Sequence, residues 1–124
     1  MKNGRVLVVE DESLIRELMA EALKDAGFEV DEAATSDEAV RLLDADGYHA
    51  LVTDVHMPGQ LDGLELGRRA HADKPGFPII FVTARPDVMS RLRDTGINGA
   101  CLNKPFRLSE LTAAVSHMIG RAAA

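Results

Sequence analysis

Several short apolar runs of the sequence are each followed by a side chain that can act on phosphate or bind a metal ion. These side chains are the acids Glu10, Asp11 and Asp54, the hydroxyl of Thr83 and the ammonium of Lys104. A single acid after a strand often only favours the positive N-terminus of the next helix, and a lone lysine is usually solvated. Such groups at the ends of four separate runs are better explained by one shared site.

The chemistry that these groups suit is phosphoryl transfer to a carboxylate. Mg²⁺ prefers oxygen ligands, and Asp11 and Asp54 can supply two of them while water supplies the others. The ion would reduce the repulsion between the carboxylates and neutralise the incoming phosphoryl oxygens. Asp54 would be the nucleophile that attacks phosphorus. Lys104 would hold a phosphoryl oxygen as a point charge, and Thr83 would donate a hydrogen bond.

The elements that must position this site alternate between short apolar runs and amphipathic segments. This alternation is typical of β/α units and predicts a doubly wound α/β fold with a parallel sheet of five strands and five helices. In such folds, ligands bind beyond the carboxyl ends of the strands. The predicted strands lie near residues 5–9, 28–32, 48–53, 77–83 and 100–102; the predicted helices start near Leu14, at a Thr35/Glu38 capping box, at Asp62-Gly63, near Pro86 and near Leu108.

Length and composition exclude several classes of protein. A chain of 124 residues suits one domain, here residues 1–124, around one hydrophobic core. The net charge of −6 and the scattered Lys and Arg residues disfavour a nucleic-acid binder. The N-terminal residues are typical neither of a signal peptide nor of a membrane span. The single cysteine, Cys101, excludes an intrachain disulfide. A cytoplasmic protein without membrane contact is therefore expected.

Five motifs resemble those of response-regulator receiver domains, the CheY-like superfamily, and they occur in the same order over nearly the whole chain. They are Val6-Leu7-Val8-Val9-Glu10-Asp11-Glu12, Thr53-Asp54-Val55-His56-Met57-Pro58, Asp62-Gly63-Leu64-Glu65-Leu66, Val82-Thr83-Ala84 and Lys104-Pro105-Phe106. The resemblance implies a flavodoxin-like fold with strand order 2-1-3-4-5.

The resemblance also implies a role for each site residue. Asp54 would be the phosphoacceptor and Asp11 a direct Mg²⁺ ligand. Glu10 would act on the ion through water, and the backbone carbonyl of His56 would complete the protein ligands. Thr83 and Lys104 would be the switch hydroxyl and the phosphate-binding lysine. The phosphoryl group would come from the phosphohistidine of a histidine kinase or a phosphotransfer protein.

The sequence departs from the family pattern at two places. Cys101 stands three positions before the lysine, where the family usually has Tyr or Phe, so we expect signalling to rely on Thr83 and backbone shifts alone. We interpret Cys101 as a small packing residue rather than a redox thiol. The loop 58–63 is one residue longer than usual, which either reshapes the kinase-docking edge or is neutral drift. Two side chains, those of His56 and Arg85, would flank the phosphoryl group.

These features predict a stand-alone signalling module that catalyses only its own phosphorylation and dephosphorylation and binds an unknown downstream protein. Val88, Met89 and Leu92 are candidates for the switching surface, and the resemblance allows a homodimer. Three alternatives remain open. The chain could be a phosphorylation-independent pseudo-receiver or a segment of a larger hybrid histidine kinase. A small-molecule phosphatase would normally have an acid two positions after Asp54, where His56 stands.

Overall fold

A computed structural model describes residues 3–45, 47–56, 59–85 and 96–123. These residues contain five strands and four helices, and all strand pairs are parallel. The strands are β1 (Arg5–Val9), β2 (Glu29–Ala33), β3 (Ala50–Asp54), β4 (Ile79–Thr83) and β5 (Gly99–Asn103), and the helices are α1 (Ser13–Asp25), α2 (Ser36–Asp44), α3 (Gly63–Asp73) and α4 (Leu108–Ala123). The predicted helix over 86–95, with Val88, Met89 and Leu92, lies outside the described residues.

The sheet order is β2-β1-β3-β4-β5, which confirms the expected doubly wound topology. Side chains alternate between two buried faces along each inner strand. Leu7, Leu51 and Phe81 belong to the cluster that packs against α2 and α3. Val8 and Val52 belong to the opposite cluster, which packs against α1 and α4. Because both faces are covered, the inner strands read as continuous apolar runs.

Four of the five predicted helix starts are confirmed, with one difference in detail, and the start near Pro86 lies outside the described residues. Thr35 Oγ1 accepts a hydrogen bond of 3.2 Å from the Glu38 amide, as a capping box requires. The Glu38 carboxylate, however, accepts its hydrogen bond from the Ala34 amide, at 2.9 Å, instead of the Thr35 amide. The complete capping box is at α3, where Asp62 and Glu65 cap each other.

No helix in the described parts of the chain is both long and apolar enough to cross a membrane.

Candidate functional site

The predicted site residues stand at one edge of the sheet because parallel strands present their carboxyl ends together. Asp54 and Thr83 are the last residues of β3 and β4. Glu10 directly follows β1, and Lys104 directly follows β5. The amide of Lys104 donates a 2.8 Å hydrogen bond to the carbonyl of Thr83, so the ends of β4 and β5 are joined at the site.

Three carboxylates meet at this edge. Glu10, Asp11 and Asp54 each offer an oxygen atom, and these three atoms lie within 4.8 Å of one another. Glu10 is 1% exposed and Asp54 is 6% exposed, whereas Asp11 is exposed at the rim. The cluster predicted from the sequence is therefore present, with one acid open to solvent and two within the protein.

Lys104 lies between the two buried acids. Its Nζ is 2.6 Å from Oδ2 of Asp54 and 3.0 Å from Oε1 of Glu10. Burial alone would lower the pKa of the Lys104 ammonium, but hydrogen bonds to Asp54 and Glu10 outweigh it, so its pKa is raised. The lysine is thus held as a cation, and it offsets part of the negative charge of the cluster.

Glu10 is protonated more easily than an acid on the surface would be. Burial, followed by a hydrogen bond with Asp11, raises the pKa of Glu10 to about 7, even though Lys104 and the Glu12 amide oppose the rise. Three carboxylates share the single ammonium of Lys104, so the cluster carries excess negative charge when all three are ionised. A divalent cation would supply the remaining positive charge, and a set of carboxylate oxygens is what Mg²⁺ prefers. The donor set fits the ion that the resemblance implies.

Asp54 is fixed at both carboxylate oxygens. Oδ2 is paired with Lys104, and Oδ1 accepts a 3.0 Å hydrogen bond from the backbone amide of His56. Gly63 packs directly against the carbonyl of Asp54, where a Cβ would overlap that oxygen. The Gly63 amide donates to the Val55 carbonyl at 2.8 Å and closes the loop that follows the strand. The Asp-Gly motif therefore lets α3 begin directly against the acceptor.

Thr83 is buried, and its hydroxyl contacts the turn that follows it. Oγ1 accepts a 3.0 Å hydrogen bond from the Arg85 amide and lies 3.4 Å from the Arg85 carbonyl. Within the described residues these are the hydrogen-bond partners of the hydroxyl. Of the two groups expected to hold the phosphoryl oxygens, Lys104 is already paired with Asp54. The Thr83 hydroxyl, in contrast, is bonded to the backbone of Arg85 and not to Asp54.

The two flanking side chains, His56 and Arg85, are exposed. The role of the His56 carbonyl as a metal ligand stays a prediction, as does the influence of the two side chains on the phosphorylated state.

Cys101 is half-buried and faces the cluster that contains Phe81, its neighbour across β4 and β5. Burial raises the pKa of its thiol. Because the thiolate is the reactive form, this favours the packing role over the redox role.

One residue that supports the site was not identified from the sequence. Arg16, on α1, donates a 2.9 Å hydrogen bond from Nη1 to the backbone carbonyl of Glu10. Its Nε lies 3.3 Å from Oε1 of Glu32, at the end of β2. A charged residue beside the apolar stripe of α1 was the available signal, but its contact depends on how α1 packs against the sheet.

The fold and these groups agree with the comparison to known families. Residues 6–116 match the model of the response regulator receiver domain. The chain belongs to the response regulator receiver family. This receiver domain is 40% identical over 112 residues to the transcriptional regulatory protein TcrA of Mycobacterium tuberculosis, a match that covers 88% of the chain and 43% of TcrA. It is 38% identical over 119 residues to the response regulator MprA of Mycolicibacterium vanbaalenii, covering 94% of the chain and 51% of MprA.

A solved structure is also close to this receiver domain. The response regulator TrrA of Thermotoga maritima, in complex with Mg²⁺ and BeF, matches with a TM-score of 0.83 and 34% identity over 95% of the chain and 99% of TrrA. Receiver domains bind Mg²⁺ at an acidic cluster, and response regulators receive phosphoryl groups from histidine kinases. The chain spans about half the length of TcrA and MprA.

Proposed function

We propose that this receiver domain accepts a phosphoryl group on Asp54 from the phosphohistidine of a kinase or phosphotransfer protein, and that the new charge switches a protein-binding surface. The supporting observation is the environment of Asp54. It is a nearly buried carboxylate, paired with a lysine at 2.6 Å, beside two further acids that can hold a cation. A structural ion pair would not require the additional acids.

In the proposed step, an oxygen of Asp54 attacks the phosphorus of the donor. The new P–O bond gives an acyl phosphate, the P–N bond breaks, and the imidazole of the donor takes up a proton. Mg²⁺ bound by Asp11, Asp54, the His56 carbonyl and, through water, Glu10 would neutralise phosphoryl oxygens in the transition state.

Lys104 has to exchange partners during this step. Both Asp54 oxygens are occupied in the structure, Oδ2 by Lys104 and Oδ1 by the His56 amide. When the phosphoryl group arrives, the ammonium can pair with one of its oxygens while it keeps the hydrogen bond to Glu10, 3.0 Å away. The Thr83 hydroxyl would leave Arg85 and donate to another phosphoryl oxygen.

The protein would act as a switch rather than a multiple-turnover enzyme, because the phosphorylated residue is part of the chain itself. The likeness to TcrA and MprA supports a role in a response regulator. The downstream partner, a homodimer, a cytoplasmic location and the absence of nucleic-acid and membrane contacts stay predictions.

Intact-mass measurement tests the proposal directly. The protein is incubated with Mg²⁺ and acetyl phosphate, with Asp54→Ala as the test variant and Asp73→Ala, an exposed acid at the far end of α3, as the matched control. One phosphoryl group should be added to wild type and to Asp73→Ala, but none to Asp54→Ala. No uptake by wild type, from this donor or from a phosphohistidine protein, would favour the pseudo-receiver. Repeated turnover of unrelated phosphate esters would favour an enzyme.

A further inference from the structure

The loop between β3 and α3, one residue longer than the resemblance predicts, lies against the first turn of α2. The amide of Leu61 donates a 3.1 Å hydrogen bond to Oγ of Ser36. The amide of Gln60 donates a longer one, of 3.3 Å, to Oδ1 of the exposed Asp37. Two successive loop amides, which would otherwise need water, therefore bond to side chains of one helix.

Among the described residues, the hydroxyl of the buried Ser36 is bonded to the Leu61 amide. Ser36 is 0% exposed, and a buried hydroxyl is costly unless it is hydrogen-bonded. The N-terminus of α2 is already capped by the side chain of Thr35, which accepts the Glu38 amide. The hydroxyl of Ser36 is thus not required for capping, and the partner that the structure gives it is the loop.

Gly59 makes this close contact possible. Its φ of +126° favours glycine, and a Cβ at this position would clash with Oγ of Ser36. The other end of the loop is closed by the hydrogen bond from the Gly63 amide to the Val55 carbonyl, immediately after the acceptor. The described parts of the loop are consequently held at two places, residues 59–61 on α2 and the Gly63 amide beside Asp54.

We propose that Ser36 is a positioning residue for the phosphorylation site, which holds the longer β3–α3 loop on α2 and so fixes the backbone that follows Asp54. This inference rests on the proposed function, because the loop includes the His56 carbonyl, a proposed ligand of the cation. Ser36 itself does not contact the reacting groups; it acts through the loop.

Two variants disturb the contact from opposite sides. Ser36→Ala removes the acceptor of the Leu61 amide, and Gly59→Ala forces the loop away from an intact Ser36. Ser116→Ala, an exposed position on α4, is the matched control for the serine substitution. The first measurement is amide hydrogen exchange by NMR. The second is the Mg²⁺ dissociation constant from chemical-shift titration, and neither measurement requires phosphorylation.

In Ser36→Ala, exchange of the Leu61 amide should accelerate about 5- to 10-fold, the factor that corresponds to one neutral hydrogen bond. Mg²⁺ should bind about 3-fold more weakly, or worse, in both variants, and phosphorylation by acetyl phosphate should slow by a similar factor. Ser116→Ala should match wild type in all three measurements.

Unchanged exchange of the Leu61 amide in Ser36→Ala would refute the contact. Faster exchange with Mg²⁺ affinity and phosphorylation rate both within error of wild type would refute the positioning role. The proposed function fails separately: a wild-type protein that binds Mg²⁺ and shows the Ser36 effect, but accepts no phosphoryl group, would overturn only that proposal.

Discussion

The same glycine-to-alanine substitution should have opposite effects on stability at two helical positions, Gly67 in α3 and Gly120 in α4. A Cβ on Gly67 would lie 2.5 Å from Cζ and 2.7 Å from Cε1 of Phe81. The ring is fully buried within the cluster that packs against α2 and α3. The ring therefore has little space into which it could move.

At each site, the cost of inserting a methyl group and the gain in helix propensity together decide whether stability falls or rises. Inserting a methyl group into such a packed region costs about 1–3 kcal/mol. The better helix propensity of alanine returns up to about 1 kcal/mol. A Cβ only 2.5 Å from a ring carbon belongs to the upper part of that range, about 2–3 kcal/mol, so the expected net loss for Gly67→Ala is about 1–2 kcal/mol. At Gly120, which is exposed, a Cβ would meet nothing within 4 Å. There the propensity term acts alone, so we expect a gain of about 0.5–1 kcal/mol.

Urea unfolding followed by circular dichroism measures both changes, provided that the variants keep the wild-type m value. A Phe81→Leu background identifies the cause, because leucine removes the far end of the ring. The Gly67→Ala penalty should shrink in that background by more than about 0.5 kcal/mol. A Gly67→Ala protein at least as stable as wild type would refute the packing argument. A penalty that persists unchanged in the Phe81→Leu background would assign it to the spacing of helix and strand instead of the ring.

Two further predictions concern polar contacts. Tyr48 donates a 2.7 Å hydrogen bond to Asp31. Burial, and after it this hydrogen bond, raises the pKa of the phenol to about 12. Because this folded-state pKa lies above the unfolded value of about 10, the phenol stabilises the fold fully below pH 10, and the stabilisation is lost as the pH rises towards 12. Ultraviolet titration of this single tyrosine should show the high midpoint, and the midpoint should fall in urea and in Asp31→Asn; a native midpoint near 10 would contradict the assignment. Arg16→Met should weaken Mg²⁺ binding several-fold, because it removes the hydrogen bond to the Glu10 carbonyl. Glu32→Gln leaves that hydrogen bond in place and should change the Mg²⁺ affinity less. Equal affinities in Arg16→Met and wild type would exclude a supporting role for Arg16.

The fold and the centre of the site could be predicted from the sequence because both depend on local patterns. A buried parallel strand is a short apolar run, and the residue after such a run must lie at the carboxyl edge of the sheet. This places Glu10, Asp54, Thr83 and Lys104 together without any knowledge of helix packing. The residues are close in space because the strands are neighbours.

The supporting contacts could not be predicted in the same way. Arg16 reaches the Glu10 carbonyl only because α1 crosses β1 at a particular height, and Ser36 meets Leu61 across 25 positions of sequence. The difference at Thr35 has the same origin, since the Glu38 carboxylate accepts from Ala34 once the chain leaving β2 brings that amide nearer. Periodicity indicates which face of a helix is buried, but not which backbone group a polar side chain on that face will meet.

Cys101 stands where the family usually has an aromatic switch residue, so we expect the charge at Asp54 to reach the surface through Thr83 and the backbone. Phe81, which pairs with Cys101 across β4 and β5, is fully buried between Gly67 and Gly99. Two residues further along, the Thr83 hydroxyl bonds only to the backbone of Arg85 among the described residues, and the Thr83 carbonyl accepts the Lys104 amide. A phosphoryl group on Asp54 would attract both the ammonium of Lys104 and the hydroxyl of Thr83. Because the Thr83 hydroxyl accepts the Arg85 amide, a displacement of that hydroxyl would act first on the turn 83–85. We therefore expect this turn to be the first element through which the charge at Asp54 reaches the surface.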